Sequence, residues 1–209
     1  MSDLNAILDA LPGFPQLRGA RVRLRAPRAQ DALRVFALFS DPAVMRHWSS
    51  SPMTDPAQAS VKLEEMHDAL RQREIHWIVA DAQDNAIGTC SLFHCDAKYH
   101  SGEIGYALRS DLWSRGLASE AVEAALNWGF AALALRSVGA DTHLDNAPSQ
   151  RLLRRLGFRP LSRPRELATT DDAGTRASFV LSAEQWRQRG ASKPDLKQHR
   201  PRTRKIGGD

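Results

Sequence analysis

Residues 101–118 constrain the fold most, because the hydrophobic pattern there changes from that of a strand to that of a helix. From Gly102 to Leu108, apolar residues alternate with small or charged ones, as in a strand with one buried face. A short polar bend follows, and from Leu117 to Phe130 apolar residues recur at about 3.6-residue spacing. The segment therefore predicts a strand, a tight turn of small residues and an amphipathic helix.

The turn before this helix has the chemistry of an anion-binding site. The first N–H groups of a helix have no acceptor within it, and the helix dipole adds positive potential there. Gly116 lets a ligand approach the backbone closely, Ala118 is small, and Arg115 adds a positive charge. Residues 113–118 alone do not distinguish a phosphate cradle from an ordinary strand-to-helix connection, because one loop glycine is a weak signal.

Further motifs lie on both sides of the turn, and together they carry a family resemblance. Asn146 and Ser149 stand in an Asn-x-x-Ser pattern that is followed by Leu-Gly-Phe at 156–158. Glu-Ile-Gly-Tyr at 103–106 precedes Trp-x-x-Gly-x-Ala at 113–118. This combination resembles the GNAT superfamily of N-acetyltransferases. Within it, the motifs are similar to the RimJ/RimL-type branch, which acetylates protein N-termini, including those of ribosomal proteins, and other amines.

The resemblance covers about residues 19–185 and implies one GNAT-like domain of the α/β (α+β) class. Its sheet is expected to be mixed and mostly antiparallel, with helices on both faces. Two central strands are expected to splay apart and admit the pantetheine arm of the cofactor. Residues 1–18 are predicted to form an N-terminal extension, and residues 186–209 a basic disordered tail.

The basic character of the chain belongs to its C-terminal end. The formal net charge is +5, but residues 187–209 contain eight Lys or Arg and two Asp, whereas residues 1–186 carry about −1. A solvated tail is the simpler interpretation of this segment. The alternative is an arm that attracts ribosomal RNA or another polyanion.

Acetyl-CoA is the co-substrate that the resemblance implies, with no metal. The amides around 113–119 are expected to hold its pyrophosphate, and the backbone of Ala107 and Leu108 to pair with its pantetheine arm. The Leu108 amide is also expected to stabilise the carbonyl oxygen as that oxygen gains charge. The cofactor-binding residues predicted in this way are Ala107, Leu108, Trp113, Ser114, Arg115, Gly116, Leu117, Ala118, Ser119 and Asn146.

Glu103 and Ser149 are the predicted catalytic residues. Glu103 would accept the proton of the amine through a water molecule. Its alternative role is that of an exposed strand residue with a cross-strand partner. Many GNAT enzymes place a tyrosine seven residues after the Asn, but that position is Leu153 here. Ser149 is therefore the candidate acid for the leaving thiolate, and its alternative role is to satisfy backbone amides in the first turn of its helix.

Cysteine and histidine residues do not form a recognisable metal-binding pattern. Cys90 and Cys95 are an odd number of positions apart, so on one regular strand they would point to opposite faces. Cys90 and Cys95 are predicted to be core thiols, and His94 and His100 surface histidines. Two such cysteines give no disulfide framework, and the sequence has neither a signal-peptide pattern nor an apolar run of membrane-spanning length. A cytoplasmic location is therefore expected.

The sequence leaves the acceptor amine open. A protein N-terminus and a small-molecule amine are the two enzymatic alternatives, and a non-catalytic acyl-CoA-binding or ribosome-associated module is a third. In the family, the region after the first helix contributes to the acceptor site, so Met45, His47 and Trp48 are candidate lining residues. A tryptophan beside a turn more often packs into a core, and packing is the preferred interpretation here. No membrane partner is expected, and the sheet edges are compatible with a monomer or a homodimer.

Overall fold

The fold is built on one sheet of eight strands, and the computed structural model describes residues 4–162 and 176–191. The strands are β1 (Leu17–Arg18), β2 (Arg23–Arg25), β3 (Ile75–Ala80), β4 (Ala86–Asp96), β5 (Ser101–Leu108), β6 (Ser137–His143), β7 (Arg159–Pro160) and β8 (Arg176–Ser182). The helices are α1 (Leu4–Asp9), α2 (Ala32–Phe39), α3 (Pro42–Met45), α4 (Pro56–Asp68), α5 (Leu117–Ala131), α6 (Ala147–Arg155) and α7 (Ala183–Ala191). In the part of the chain described, no helix combines the length and the apolar character needed to cross a membrane.

The strand order is β1-β2-β3-β4-β5-β6-β8-β7, and in the described residues only β5 and β6 are paired in parallel. Their pairing runs from Ser101↔Ser137 to Glu103↔Gly139 and then stops, although both strands continue. The remainder of β5 and β6 therefore encloses a gap at the centre of the sheet. The predicted mixed sheet with a central splay is confirmed.

Helices cover both faces of this sheet, as predicted. Trp77 and Val79 of β3 belong to a core cluster that includes α1, α5, α6 and α7, whereas Ile78 between them belongs to a cluster with α2 and α4. This alternation is that of a strand buried on both sides. We call the two sides the α5 face and the α2–α4 face.

Local capping chemistry sets several helix ends. Asp55 caps α4 by accepting a hydrogen bond from the Ala57 N–H at 2.8 Å. Asn146 caps α6 by accepting one from the Ser149 N–H at 3.2 Å. Gly157 follows α6 with a φ of +96°, a conformation that favours glycine just beyond a helix.

The N-terminal segment, predicted as an extension, is packed into the core. Leu4 and Leu8 of α1 are buried in the α5-face cluster. β1 pairs with β2, and the Trp77 indole N–H donates to the Pro15 carbonyl at 2.7 Å. The described part of this segment thus closes the outer edge of the sheet.

The predicted disordered tail, in contrast, begins inside a helix. α7 continues to Ala191, and Trp186 is buried against Phe130 while its indole N–H donates to Asn127 Oδ1 at 2.8 Å. Arg189 also pairs with Glu123 of α5 at 3.1 Å. The basic composition of the segment gave no sign of these contacts with α5. Residues 192–209 lie outside the described residues, as does the polar loop with Thr169, Asp171, Asp172 and Gly174 that the sequence predicts between the last two strands.

The expectation that Cys90 and Cys95 point to opposite faces is wrong because β4 contains a β-bulge. Pairing between β4 and β5 shifts between Phe93 and Asp96, and an extra residue in a strand reverses the faces that follow. Cys90 and Cys95 consequently contact the same core cluster rather than opposite faces. His100, expected at the surface, is only 9 % exposed. Burial raises the pKa of the Cys90 thiol to about 12 and that of Cys95 to about 11, so neither is a thiolate nucleophile at neutral pH.

A buried ion cluster ties β2 to the turn between β3 and β4. Arg25 and Asp31 are 4 % and 3 % exposed, and both guanidinium Nη atoms lie 2.8 Å from the Asp31 carboxylate. The Arg25 Nε donates to Asp84 Oδ1 at 2.9 Å, and Arg28 contacts the other Asp84 oxygen at 2.7 Å. The hydrogen bond to Asp31 outweighs desolvation and raises the pKa of Arg25 above its ordinary value.

We expect Asp31→Ala to lower the free energy of unfolding by about 3–5 kcal/mol, because it leaves a buried guanidinium without its main partner. Urea denaturation measures this change. Asp68→Ala is the matched control, since it removes an exposed carboxylate 3.3 Å from Arg71 and should cost less than about 1 kcal/mol. Equal losses in the two variants would contradict a stabilising role for the buried cluster.

Candidate active site

The edge of β5 that faces the gap offers backbone groups to a ligand. The Arg109 N–H donates to the Ile87 carbonyl of β4 at 3.0 Å, and the register pairs Leu108 with Gly88. Backbone groups alternate in direction along an antiparallel pair, so the N–H groups of Tyr106 and Leu108 point away from β4 and into the gap. Ala107 turns its backbone towards β4 instead, so of the two strand residues expected to contact pantetheine only Leu108 faces the gap.

Trp113 fixes the loop to the end of β5. Its indole N–H donates to the Leu108 carbonyl at 2.7 Å, while its side chain remains 45 % exposed. The Leu108 carbonyl therefore has a partner within the chain, and the N–H of the same residue faces the gap. The loop consequently starts beside the mouth of the gap.

The loop then turns into α5 through left-handed backbone. Ser114 and Gly116 have φ values of +62° and +80°. The Glu120 N–H is the first to reach a carbonyl at the start of α5, that of Gly116 at 3.1 Å. The N–H groups of Leu117, Ala118 and Ser119 precede it and have no acceptor within the helix. Three successive amides at a helix N-terminus form a cradle for an anion.

Three arginines surround this cradle. The Arg115 guanidinium reaches the Asp111 carbonyl at 3.2 Å, and Arg21 Nη1 reaches the Arg115 carbonyl at 3.0 Å. Arg155 of α6 contacts the Ser119 hydroxyl. The sequence indicated Arg115 alone, because Arg21 and Arg155 come from distant segments that only the fold brings together. Arg21 is paired with Glu120 of α5 at 3.0 Å, so Arg115 and Arg155 supply the positive charge that favours a phosphate-bearing ligand.

On the α5 face of the gap, Ser149 is held at the start of α6. Its Oγ lies 2.8 Å from the Tyr106 hydroxyl, and its N–H donates to Asn146. Burial raises the pKa of Tyr106 to about 12, so the phenol is neutral at physiological pH. Leu153, at the position where many GNAT enzymes carry tyrosine, is buried in the core. Sequence reasoning assigned no role to Tyr106, although its alternation along β5 places it on this face.

On the α2–α4 face, Glu103 lies where β5 and β6 part. It pairs with Phe93 of β4 and with Gly139 of β6. Its side chain is 13 % exposed, and His94 Nδ1 lies 3.6 Å from its Oε2. Glu103 is therefore partly buried beside a neighbouring imidazole.

A second carboxylate, that of Asp141, lies on the same face. Asp141 follows Gly139 by two residues on β6, and residues two apart share a face of a strand. Both of its carboxylate oxygens are buried and have no hydrogen-bond partner among the residues that the structure describes. A buried polar group in this state requires an explanation, and a cationic ligand is one that suits a carboxylate. The sequence contained no signal that Asp141 could bind a cation, because its pattern there is that of an ordinary strand.

Beyond Asp141, the end of β6 contacts the segment after α3. Asp145 Oδ1 lies 2.5 Å from His143 Nδ1 and 3.1 Å from His47 Nδ1, and the two imidazole rings are stacked with centroids 5.6 Å apart. Met45 is buried, whereas Trp48 makes an edge contact with Phe39 but remains 40 % exposed, so the packing preferred from the sequence holds only in part for Trp48. Of the three candidate lining residues, His47 is the one that reaches across to β6.

The two faces of the gap thus carry different chemistry. An anion cradle, a hydroxyl and outward-pointing strand amides are gathered at the α5 face and at the edge of β5. Two carboxylates lie on the α2–α4 face. This arrangement suits a phosphate-bearing ligand that threads between β5 and β6 and meets a cationic second molecule from the opposite side.

Known proteins resemble this chain in sequence. The family description "Acetyltransferase (GNAT) domain" matches residues 21–159. YoaA of Bacillus subtilis (strain 168), an uncharacterized N-acetyltransferase, is 36 % identical over 148 residues, which cover 69 % of this chain and 83 % of YoaA.

Two solved structures have a similar fold. A GCN5-related N-acetyltransferase from Brucella melitensis superposes with a TM-score of 0.72 at 23 % identity, over 84 % of this chain and 82 % of that one. Spermidine N-acetyltransferase from Vibrio cholerae, solved with CoA and spermine, gives 0.67 at 18 % identity, over 80 % and 98 % of the two chains. With the family match, the splayed sheet and the cradle at α5, the chain belongs to the GNAT family of acetyl-CoA-dependent N-acetyltransferases.

Proposed function

We propose that this enzyme acetylates a primary amine with Glu103 as general base and Ser149 as general acid. The observation that carries the proposal is the position of these two residues on opposite faces of the gap between β5 and β6. A cofactor thioester in the gap would lie between them. The acceptor would then approach from the α2–α4 face while the cofactor occupies the α5 side.

The cofactor would be held along the edge of β5 and the start of α5. The amides of Leu117, Ala118 and Ser119 suit the pyrophosphate, with Arg115 and Arg155 adding positive charge. The strand amides that point into the gap suit the amide groups of pantetheine. Acetyl-CoA supplies the activated acyl group, and the chain supplies position, charge and proton transfer.

In the proposed reaction, the acceptor ammonium first loses a proton to Glu103, directly or through water. The nitrogen lone pair forms a bond to the thioester carbonyl carbon, and the carbonyl oxygen gains a negative charge that the Leu108 N–H stabilises. The carbon–sulfur bond then breaks, the thiolate takes a proton from the Ser149 hydroxyl, and the attacking nitrogen releases its second proton to solvent. The products are an amide and free CoA thiol; Glu103 then releases its proton to solvent, and Ser149 regains one from solvent.

We propose a protein N-terminal amine as the acceptor, with a small-molecule amine as the competing candidate. The RimJ/RimL-type motifs at 103–106 and 113–118 support the first, and the similarity to a spermidine N-acetyltransferase supports the second. The carboxylates of Glu103 and Asp141 suit either cationic amine. A cytoplasmic location, a homodimer and a contact between the basic tail and ribosomal RNA stay predictions.

Glu103→Gln should lower kcat by about 10²-fold or more and leave the KM for acetyl-CoA unchanged, because it removes the base but not the cradle. The assay incubates the enzyme with acetyl-CoA and a dialysed bacterial extract, and mass spectrometry locates new acetyl groups on protein N-termini and on added polyamines. Substrates that the wild type modifies are then used for kinetics with both enzymes.

Glu65→Gln, an exposed carboxylate on α4, is the matched control and should retain full activity. An unchanged kcat for Glu103→Gln would contradict the assignment of the base. Asp141, the second carboxylate on this face, would then be the candidate base. Acetylation of polyamines with unmodified protein N-termini would overturn the proposed acceptor but not the reaction.

Ser149→Ala should lower kcat about 10- to 100-fold, since a hydrogen bond to a charged group contributes about 1.5–3 kcal/mol. Tyr106→Phe should have a smaller effect, about 2- to 10-fold, because it removes only the neutral hydrogen bond that orients Ser149. Steady-state kinetics at saturating acetyl-CoA measure both. A larger loss for Tyr106→Phe than for Ser149→Ala would assign the acid to the phenol instead.

Gly116→Ala should weaken acetyl-CoA binding about tenfold, because φ at this position is +80° and an L-residue there costs about 1–2 kcal/mol. The added Cβ would also lie 3.4 Å from Arg21 Nη2 at the cradle. Isothermal titration calorimetry gives the Kd. Gly13→Ala, where an added Cβ meets open space, is the control and should bind normally. If both variants bound acetyl-CoA with equal affinity, the cradle would not be part of the cofactor site.

A further inference from the structure

We propose that His47, His143 and Asp145 form a binding site for a divalent transition metal, with Zn²⁺ as the best-matched ion. The bound metal would pin the segment that carries His47 to the end of β6. The proposal is independent of the roles assigned to Glu103 and Ser149.

The three side chains converge from separate parts of the chain. His47 follows α3, His143 ends β6, and Asp145 lies just before α6. One potential ligand atom from each lies within 4.8 Å of the other two. Metal–ligand distances of about 2.0–2.2 Å place the ligands of a tetrahedral zinc ion roughly 3.3 Å apart, so small side-chain rotations would complete the geometry.

The donor set favours a transition metal over other cations. Two imidazole nitrogens and one carboxylate oxygen suit Zn²⁺ and its neighbours, whereas Mg²⁺ and Ca²⁺ prefer oxygen ligands alone. Three protein ligands leave a fourth position for water. The imidazoles are 19 % and 29 % exposed and Asp145 is 52 % exposed, so an ion can reach the cluster from solvent.

Charged neighbours do not occupy the converging atoms. Arg46 Nη2 lies 3.8 Å from Asp145 Oδ2, whereas both imidazoles approach Oδ1. The Arg46 side chain is 72 % exposed and can turn away to solvent. Arg176 is the cross-strand partner of His143 on β8.

The site joins two sides of the cleft. His47 belongs to the segment between α3 and α4, which borders the α2–α4 face, and the other two ligands flank the end of β6. A metal shared between these parts would hold them together and restrict access from the side on which we place the acceptor. The cluster can therefore act as a metal-dependent clasp.

Full-length enzyme stripped with EDTA and dialysed should bind Zn²⁺ at one such site by calorimetry, and Co²⁺ should give the visible absorption of tetrahedral coordination. Asp145→Asn and His143→Ala should each weaken this binding about tenfold or more. His67→Ala, which removes an exposed imidazole on α4, should leave it unchanged. Circular dichroism verifies folding, and Asp145→Asn gives the decisive comparison if His143→Ala does not fold.

The clasp itself has a separate readout. Trypsin cleaves after Arg46, and Zn²⁺ should slow that cleavage about fivefold or more in the wild type but not in Asp145→Asn. Cleavage after the exposed Arg71 serves as the internal control. The proposal is overturned if wild type and Asp145→Asn bind Zn²⁺ equally, if neither binds at about 100 µM metal, or if metal leaves cleavage after Arg46 unchanged.

Discussion

Three residue pairs hold β5 against β6, and the rest of the site depends on where this pairing stops. Beyond Glu103 and Gly139 the two strands continue without pairing to each other. The strand amides that point into the gap then require another partner, because buried backbone groups are rarely left unsatisfied. A ligand with its own amide groups can supply that partner, and pantetheine has such groups. The interrupted ladder thus leaves a slot in the sheet, in which we propose that the cofactor binds.

Contacts outside the gap keep the strands apart. β4 holds the far edge of β5, β8 holds the far edge of β6, and helices pack on both faces. The Trp113 indole N–H donates to the Leu108 carbonyl and so anchors the cradle beside the slot. On the other side of the molecule, the buried Arg25–Asp31 pair fixes the entry to α2, and with it the cover of the α2–α4 face. Ser149 and Glu103, which we propose as acid and base, are consequently positioned by separate packing units on opposite faces.

Features set by short-range chemistry could be predicted from the sequence. The strand, the turn at Gly116 and the caps Asp55 and Asn146 each depend on neighbours a few residues away, and the splay followed from the family resemblance. Features made by distant segments could not be predicted. His47 and His143 are separated by most of the domain, so no spacing rule joins them. The bulge that brings Cys90 and Cys95 to one face has no local signature. The contacts of Trp186 and Arg189 with α5, which hold the start of the basic tail, likewise join residues far apart in the chain.

The central claim is that the gap between β5 and β6 holds the cofactor, and a crystal structure with acetyl-CoA bound tests it most directly. We predict the pyrophosphate on the amides of residues 117–119, pantetheine hydrogen-bonded to the backbone of Tyr106 and Leu108, and the thioester sulfur near Ser149. The thioester carbonyl should be within reach of a base on the side of Glu103. Acetyl-CoA bound elsewhere, or a ladder between β5 and β6 that closes in its presence, would contradict the account.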